Sequence, residues 1–423
     1  MKNEITKLNG TSAKKKKKII LSSEKIEAEF VGKQTEKKEK TLPFNKFIKV
    51  ENYIRENYDI RYNVIANSLE YREKSTNEFK EMNENNVFCL LERINLPLSM
   101  AKLTSLLRSD FVNEYNPIED YFKELPAWSD KEPDYINELA NYIKFSTEEE
   151  RKRFKIHFKK MFVRCVACAL DDQVFNKQCF VFVHEKQNSG KSTLCRWFCP
   201  PKLQHYYSEY LAADKDSQIA LCENMFINLD ELACFSRLEL NALKATFSKS
   251  FVKVRKPFDR KPSRMPRRCN FFGSTNKIEF LNDETGSVRW LCFVIESIDW
   301  DYAKNMDINK IWAQAYFLYW KGVKYELTAD EIAENETANK EFQVSTPEME
   351  LIQKYYSPAT KEKNNAFMTA TEIANDLMNK HPQTKLYTTP LGKALKILGF
   401  ARDQQRTDGV DYPLKGYYVC FKL

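Results

Sequence analysis

A chain of 423 residues with 43% apolar content is long enough for two or three domains with cores of their own, and it holds no run of eighteen apolar residues of the kind a membrane-spanning helix needs. Its lysine-rich start lacks the apolar stretch of a secretory leader, so a cytoplasmic protein with no membrane partner is expected. The net charge of +8 is local: residues 1–50 contain fourteen lysines against six glutamates, which leaves the remainder of the chain balanced.

Residues 1–42, with the run Lys14 to Lys18, have too little apolar surface to offset the entropy of ordering and read as a disordered basic tail. Such a tail is compatible with nucleic-acid contact and equally with plain solvation. Residues 43–130 read as a small, mostly helical accessory module, with a β-hairpin suggested by the apolar alternation on either side of Asn67-Ser68. Cys165 and Cys168 form a C-x-x-C inside a helical pattern with no second Cys or His pair at a zinc-like distance, so they read as buried apolar residues. An odd total of eleven scattered cysteines suits reduced thiols.

Cys179 to Val183 is an unbroken apolar and β-branched run, the pattern of a strand buried on both faces. A loop ending Gln187-Asn188-Ser189-Gly190-Lys191-Ser192-Thr193 follows, and then a helical segment. Strand, loop and helix around Gly-Lys-Ser are the parts of a P-loop, in which backbone N–H groups cradle phosphates, Lys191 reaches the β and γ phosphates of ATP, and Ser192 ligates Mg2+. Glu185 stands where the motif G-x-x-x-x-G-K-[ST] has its first glycine.

A second apolar strand, Met225 to Leu232, ends in Asp230 and Glu231. Carboxylates at the carboxyl end of such a strand suit a metal ligand, Asp230, and an activator of the attacking water, Glu231. A third strand, Cys269 to Asn276, ends in a polar cluster, and Asn276 is the candidate sensor of the γ-phosphate. Between the second and third strands, Lys249 to Arg268 holds nine basic residues and one acid, with three prolines that disfavour a helix or a central strand and suit a projecting loop or hairpin. Arg255, Lys256, Arg260 and Lys261 are candidates for DNA phosphates, and Phe258 for stacking on a base. Arg289, at the start of a fourth apolar strand, suits either an arginine finger toward a neighbouring subunit or an ordinary salt bridge. Residues 345–423 pattern as helix, helix and terminal hairpin, compatible with a winged helix or with a helical cap.

Taken together, EKQNSGKST, NLDELACFSRLELNALKATFSK and VRKPFDRKPSRMPRRCNFFGSTNKIEFLNDETGSVRW resemble, in order and texture, the virulence-associated protein E family, related to superfamily 3 helicases and poxvirus-type primase-helicases. PIEDYFKELPAW resembles the family's lead-in. The resemblance implies an AAA+-like α/β core over 131–335, working as a homo-hexameric ring with nucleotide between subunits and encoded by a phage or mobile element. It implies a pore hairpin around Arg255 to Lys261 and a finger at Arg289. The segment before the helical lead-in is too short for the primase domain that many relatives carry, so a separate primase is expected. The function expected is an ATP-dependent motor, a helicase or translocase, acting on single-stranded or forked DNA in replication. An ATP-gated DNA-binding switch is the alternative; a small-molecule kinase fits the cationic insert less well.

Overall fold

The computed structural model describes residues 45–209, 211, 215–255, 261–281, 288–406 and 412–422. The basic tail with Lys14 to Lys18, and the DNA-contact candidates Lys256, Phe258 and Arg260, lie outside the described residues. The chain divides into two compact units, residues 1–60 with 71–112, and residues 61–70 with 113–423.

In the first unit, helices Lys46–Asn57, Glu84–Arg93 and Met100–Leu107 pack through Val50, Ile54, Leu91, Leu103, Leu106 and Leu107. Asn45 and Asn83 cap the first two, each side chain accepting a backbone N–H two residues on. Residues 61–70, which belong to the second unit, turn the strands Tyr58–Asn63 and Ser68–Glu73 at Asn67, whose φ of 55° is the left-handed conformation that asparagine tolerates best after glycine.

The second unit is built on a five-stranded parallel sheet. Its strands, numbered within this sheet, are β1 (Cys179–Val183), β2 (Tyr207–Ser208), β3 (Phe226–Leu229), β4 (Asn270–Thr275) and β5 (Trp290–Val294), in the order β5-β1-β4-β3-β2. Because side chains alternate across a strand, Phe180 and Phe182 of β1 enter one core with Phe226, Phe272, Phe293 and Trp312, while Cys179, Val181 and Val183 enter another with Ile227, Phe271 and Trp290. Burial on both faces is thus the physical cause of the unbroken apolar run. The first core is closed by α1 (Glu148–Leu170), capped by Thr147 and opened by three glutamates in its first turn. Cys165 and Cys168 lie fully buried on α1, and burial pushes the Cys168 thiol up to about 12. α2 (Lys191–Trp197) follows β1, and a helix at Arg237–Phe247 starts in a Ser236–Glu239 capping box.

Phe251–Val254 and Ser263–Pro266 pair antiparallel, so the proline-rich basic segment is a hairpin. Beyond Pro347, helices Pro347–Tyr355, Ala370–Lys380 and Thr388–Ile397 share a separate core of Ile352, Ile373, Leu377, Leu391, Leu395 and Val419. Strand Leu414–Phe421 there pairs antiparallel with Tyr356–Pro358, Ala366–Met368 and Arg402–Gln405. Among the described residues, no helix is long and apolar enough to cross a membrane.

Candidate active site

Three strands of the parallel sheet end at one edge, and each is followed directly by polar residues. In an open α/β sheet this carboxyl edge, where neighbouring strands lead off in different directions, leaves a crevice. The crevice here is a pocket of about 280 Å³ lined by residues 187–193 after β1, Asp230 and Glu231 after β3, and Ser274, Thr275 and Asn276 from β4.

The loop after β1 takes its shape from two left-handed residues, Asn188 (φ 56°) and Gly190 (φ 88°). Glu185 is not among the positive-φ residues, so the position where the motif has its first glycine needs none here. At 190 glycine is required twice over. Its backbone is left-handed, and a Cβ there would lie 2.7 Å from Cζ2 and 2.8 Å from Cη2 of Trp300.

Lys191 opens α2 and is almost fully buried. Its ammonium folds back over the loop, donating to the carbonyls of His184 (3.2 Å) and Lys186 (3.4 Å), to Ser189 Oγ (2.9 Å) and to Asn276 Oδ1 (2.7 Å). Burial pulls this ammonium below the ordinary lysine value, with Asp230 acting in the opposite sense. Ser192 Oγ donates to Asp230 Oδ1 at 2.7 Å, and Ser274 Oγ donates to the same carboxylate oxygen. Glu231, next in the chain, is left-handed (φ 51°, ψ 48°), an uncommon conformation for a residue with a side chain and one that concentrates at functional sites.

Lys191, Ser192, Asp230, Glu231 and Asn276 therefore come together around one pocket. Arg289 does not join them. Its carbonyl accepts the Cys179 N–H at 2.7 Å at the amino-terminal ends of β1 and β5, and its guanidinium donates to Ser248 Oγ at 3.3 Å, at the opposite edge of the sheet. Of the hairpin cations, Arg255 and Lys261 are exposed. Arg267 is fully buried, donating to the carbonyls of Lys249 (2.7 Å), Cys269 (3.0 Å), Phe247 (3.2 Å) and Asn176. Arg268 pairs with Asp172 at 2.5 Å. Two of the nine basic residues of that segment are thus structural.

Sequence reasoning missed Ser274 and Trp300. Ser274 was findable, because it belongs to the polar run Ser274-Thr275-Asn276 in which β4 ends. Nothing in the local sequence marks Trp300.

In class, the unit is a mixed α/β protein with a parallel sheet and a polar pocket at its carboxyl edge, and the chain is similar in fold to the NrS-1 C-terminal region (residues 305–718 of that protein). That apo structure is 11% identical, and the match covers 89% of this chain and 100% of the other at a TM-score of 0.50. The chain belongs to the virulence-associated protein E-like family, whose domain model matches residues 123–344. The A form apo structure of the NrS-1 region (12% identity, 88% and 99% covered) gives a TM-score of 0.46. SCCmec type IV Cch, described as an active helicase, gives 0.35 at 12% identity, with 86% of this chain and 92% of that one covered. No curated protein matches the chain.

Proposed function

We propose that the chain is an ATP-hydrolysing DNA motor, a replication helicase or translocase of a phage or mobile element, with a P-loop at residues 187–193. The observation that carries this reading is the convergence of Lys191 on Asn276 and of Ser192 and Ser274 on Asp230. A lysine, a hydroxyl next to it, an acid pair and a polar third strand at one sheet edge are the working parts of phosphoryl transfer. Membership of the virulence-associated protein E-like family supports the same reading.

In this mechanism Lys191 exchanges the carbonyls of His184 and Lys186 for phosphate oxygens, and Asn276 holds its ammonium in line with the γ-phosphate. Loop N–H groups bind the β-phosphate. Glu231 accepts a proton from the attacking water. Ser192 and Asp230 offer a hydroxyl and a carboxylate oxygen, the hard donors Mg2+ takes beside phosphate and water, so the residues fit that ion. When bound, Mg2+ neutralises charge building up on the transferred phosphoryl group. Arg289 belongs to the neighbouring subunit's nucleotide in a homo-hexamer, which agrees with its position away from the pocket of its own chain. The segment from Arg255 to Lys261, with Lys256, Phe258 and Arg260, tracks single-stranded DNA in the ring. The remaining assignments are residues 1–42 as a basic tail, 43–130 as an accessory module, 131–335 as the motor domain and 345–423 as a winged helix. Priming falls to a separate protein.

The test is ATP turnover by the full chain with and without single-stranded DNA, with Glu231→Gln as control. Turnover that rises several-fold with DNA and disappears in the variant supports the motor. Nucleotide binding with negligible turnover in both conditions overturns it in favour of an ATP-gated DNA-binding switch.

A further inference from the structure

Trp300 leaves half of its surface exposed, although it is the largest kind of apolar side chain, and its six-membered ring lies against Gly190. Its indole N–H donates to no acceptor among the described residues. The backbone of the turn that carries it is fixed by hydrogen bonds. Asp299 N–H donates to the Tyr142 carbonyl (2.8 Å), Asp301 N–H to Asp299 Oδ1 (3.1 Å) and Ala303 N–H to the Trp300 carbonyl (3.2 Å). The adjacent Tyr302 is buried and packs edge-on against Trp197, at the far end of the helix that begins with Lys191. The turn carrying Trp300 is therefore braced against the same helix as the phosphate-binding candidates.

We infer that Trp300 is the platform on which the base of the nucleotide stacks, making it a specificity-determining residue of this site. The inference rests on the phosphate-loop reading above and adds the part of the ligand that reading leaves out. A nucleotide whose phosphates lie on residues 187–193 would pass its sugar and base out over the loop, and the half-exposed indole against Gly190, a residue that lines the pocket, offers an aromatic surface on that side. An aromatic face recognises a base by its π-surface, so it favours the larger purines over pyrimidines without reading their edges.

The test uses the full chain carrying Glu231→Gln to prevent turnover, with Mg2+ present, and measures Kd by calorimetry for ATP, CTP and inorganic tripolyphosphate. The expected result is that Trp300→Ala weakens ATP about ten- to hundredfold and CTP less, leaves tripolyphosphate unchanged, and that Trp300→Phe restores most of the loss. Equal ATP affinity in Trp300→Ala overturns the platform and leaves the phosphate loop intact. Parallel loss of ATP and tripolyphosphate also overturns it, since the indole then only braces Gly190. If the parent binds neither ATP nor tripolyphosphate, the phosphate-loop reading fails and takes this inference with it.

Discussion

Lys191 Nζ donates to Asn276 Oδ1 at 2.7 Å, which ties the loop after β1 to the last residue of the β4 edge, 85 positions away in sequence. The amide fixes the direction of a cation that otherwise has only loop carbonyls and Ser189 to hold it. Positioned donors matter most where charge develops in the transition state. Asn276→Ala is therefore expected to keep ATP affinity within about threefold and to cut kcat by about a hundredfold. Steady-state turnover beside equilibrium binding checks this. A variant that loses affinity and turnover together would make Asn276 a plain binding residue.

Ser274 donates to the Asp230 oxygen that Ser192 also uses, so it orients the carboxylate rather than touching phosphate. Residues that orient a metal-binding carboxylate typically affect affinity by ten- to a hundredfold. Ser274→Ala should raise the Mg2+ concentration for half-maximal turnover about tenfold while kcat at saturating Mg2+ stays near the parent's. A Mg2+ titration at fixed excess ATP decides it, and an unmoved midpoint would show that Ser192 alone orients Asp230.

Arg267 and its neighbours in the basic hairpin separate by burial. Arg267→Met strands four backbone carbonyls in the interior, so a loss of about 3 kcal/mol or more is expected, seen as a melting temperature lower by several degrees. Arg255→Glu with Lys261→Glu changes only exposed charge. That pair should leave the melting temperature and basal turnover alone and end stimulation by single-stranded DNA. Stimulation that survives the double reversal would remove the hairpin from the DNA path.

What was legible in the sequence was whatever local chemistry decides. The apolar run at 179–183, the turn at Asn67 and the polar residues ending β3 and β4 all follow from side-chain pattern over a few residues. At 251–266 the prolines argue against a helix and leave a projecting loop or a hairpin, and the antiparallel pairing decides for the hairpin. Less visible were pairings made by the fold. Arg267 looks like one more surface cation until β4 carries it against carbonyls from Asn176 and Phe247. Glu185 looked like a departure from the loop's pattern because the motif is written in residue types, whereas the geometry asks for positive φ, which Asn188 and Gly190 supply. Trp300 meets Gly190 across 110 residues, and no periodicity announces such a contact.

His157, on α1, predicts how stability depends on pH. It is buried beside Phe293, and its Nδ1 has no partner among the described residues. Burial lowers its value from 6.5 to about 4, reinforced chiefly by Arg153, with Arg164 and Lys160 acting in the same sense and Glu331 opposing. Above pH 6.5 the imidazole is neutral in folded and unfolded chains alike, so it contributes no pH dependence there. Between 6.5 and 4 the unfolded chain binds a proton that the folded chain refuses, so stability must fall as pH falls. The full loss is about 3 kcal/mol by pH 4, accumulating at up to about 1.4 kcal/mol per pH unit. Denaturation midpoints of the parent and of His157→Phe, followed from pH 8 to 4, isolate this term from the carboxylates that titrate in both. The difference between the two should be flat above pH 6.5 and then shift steadily in favour of the variant. Parallel curves throughout would mean that His157 is protonated inside the folded protein, and Glu331 would then be the group to examine as its partner.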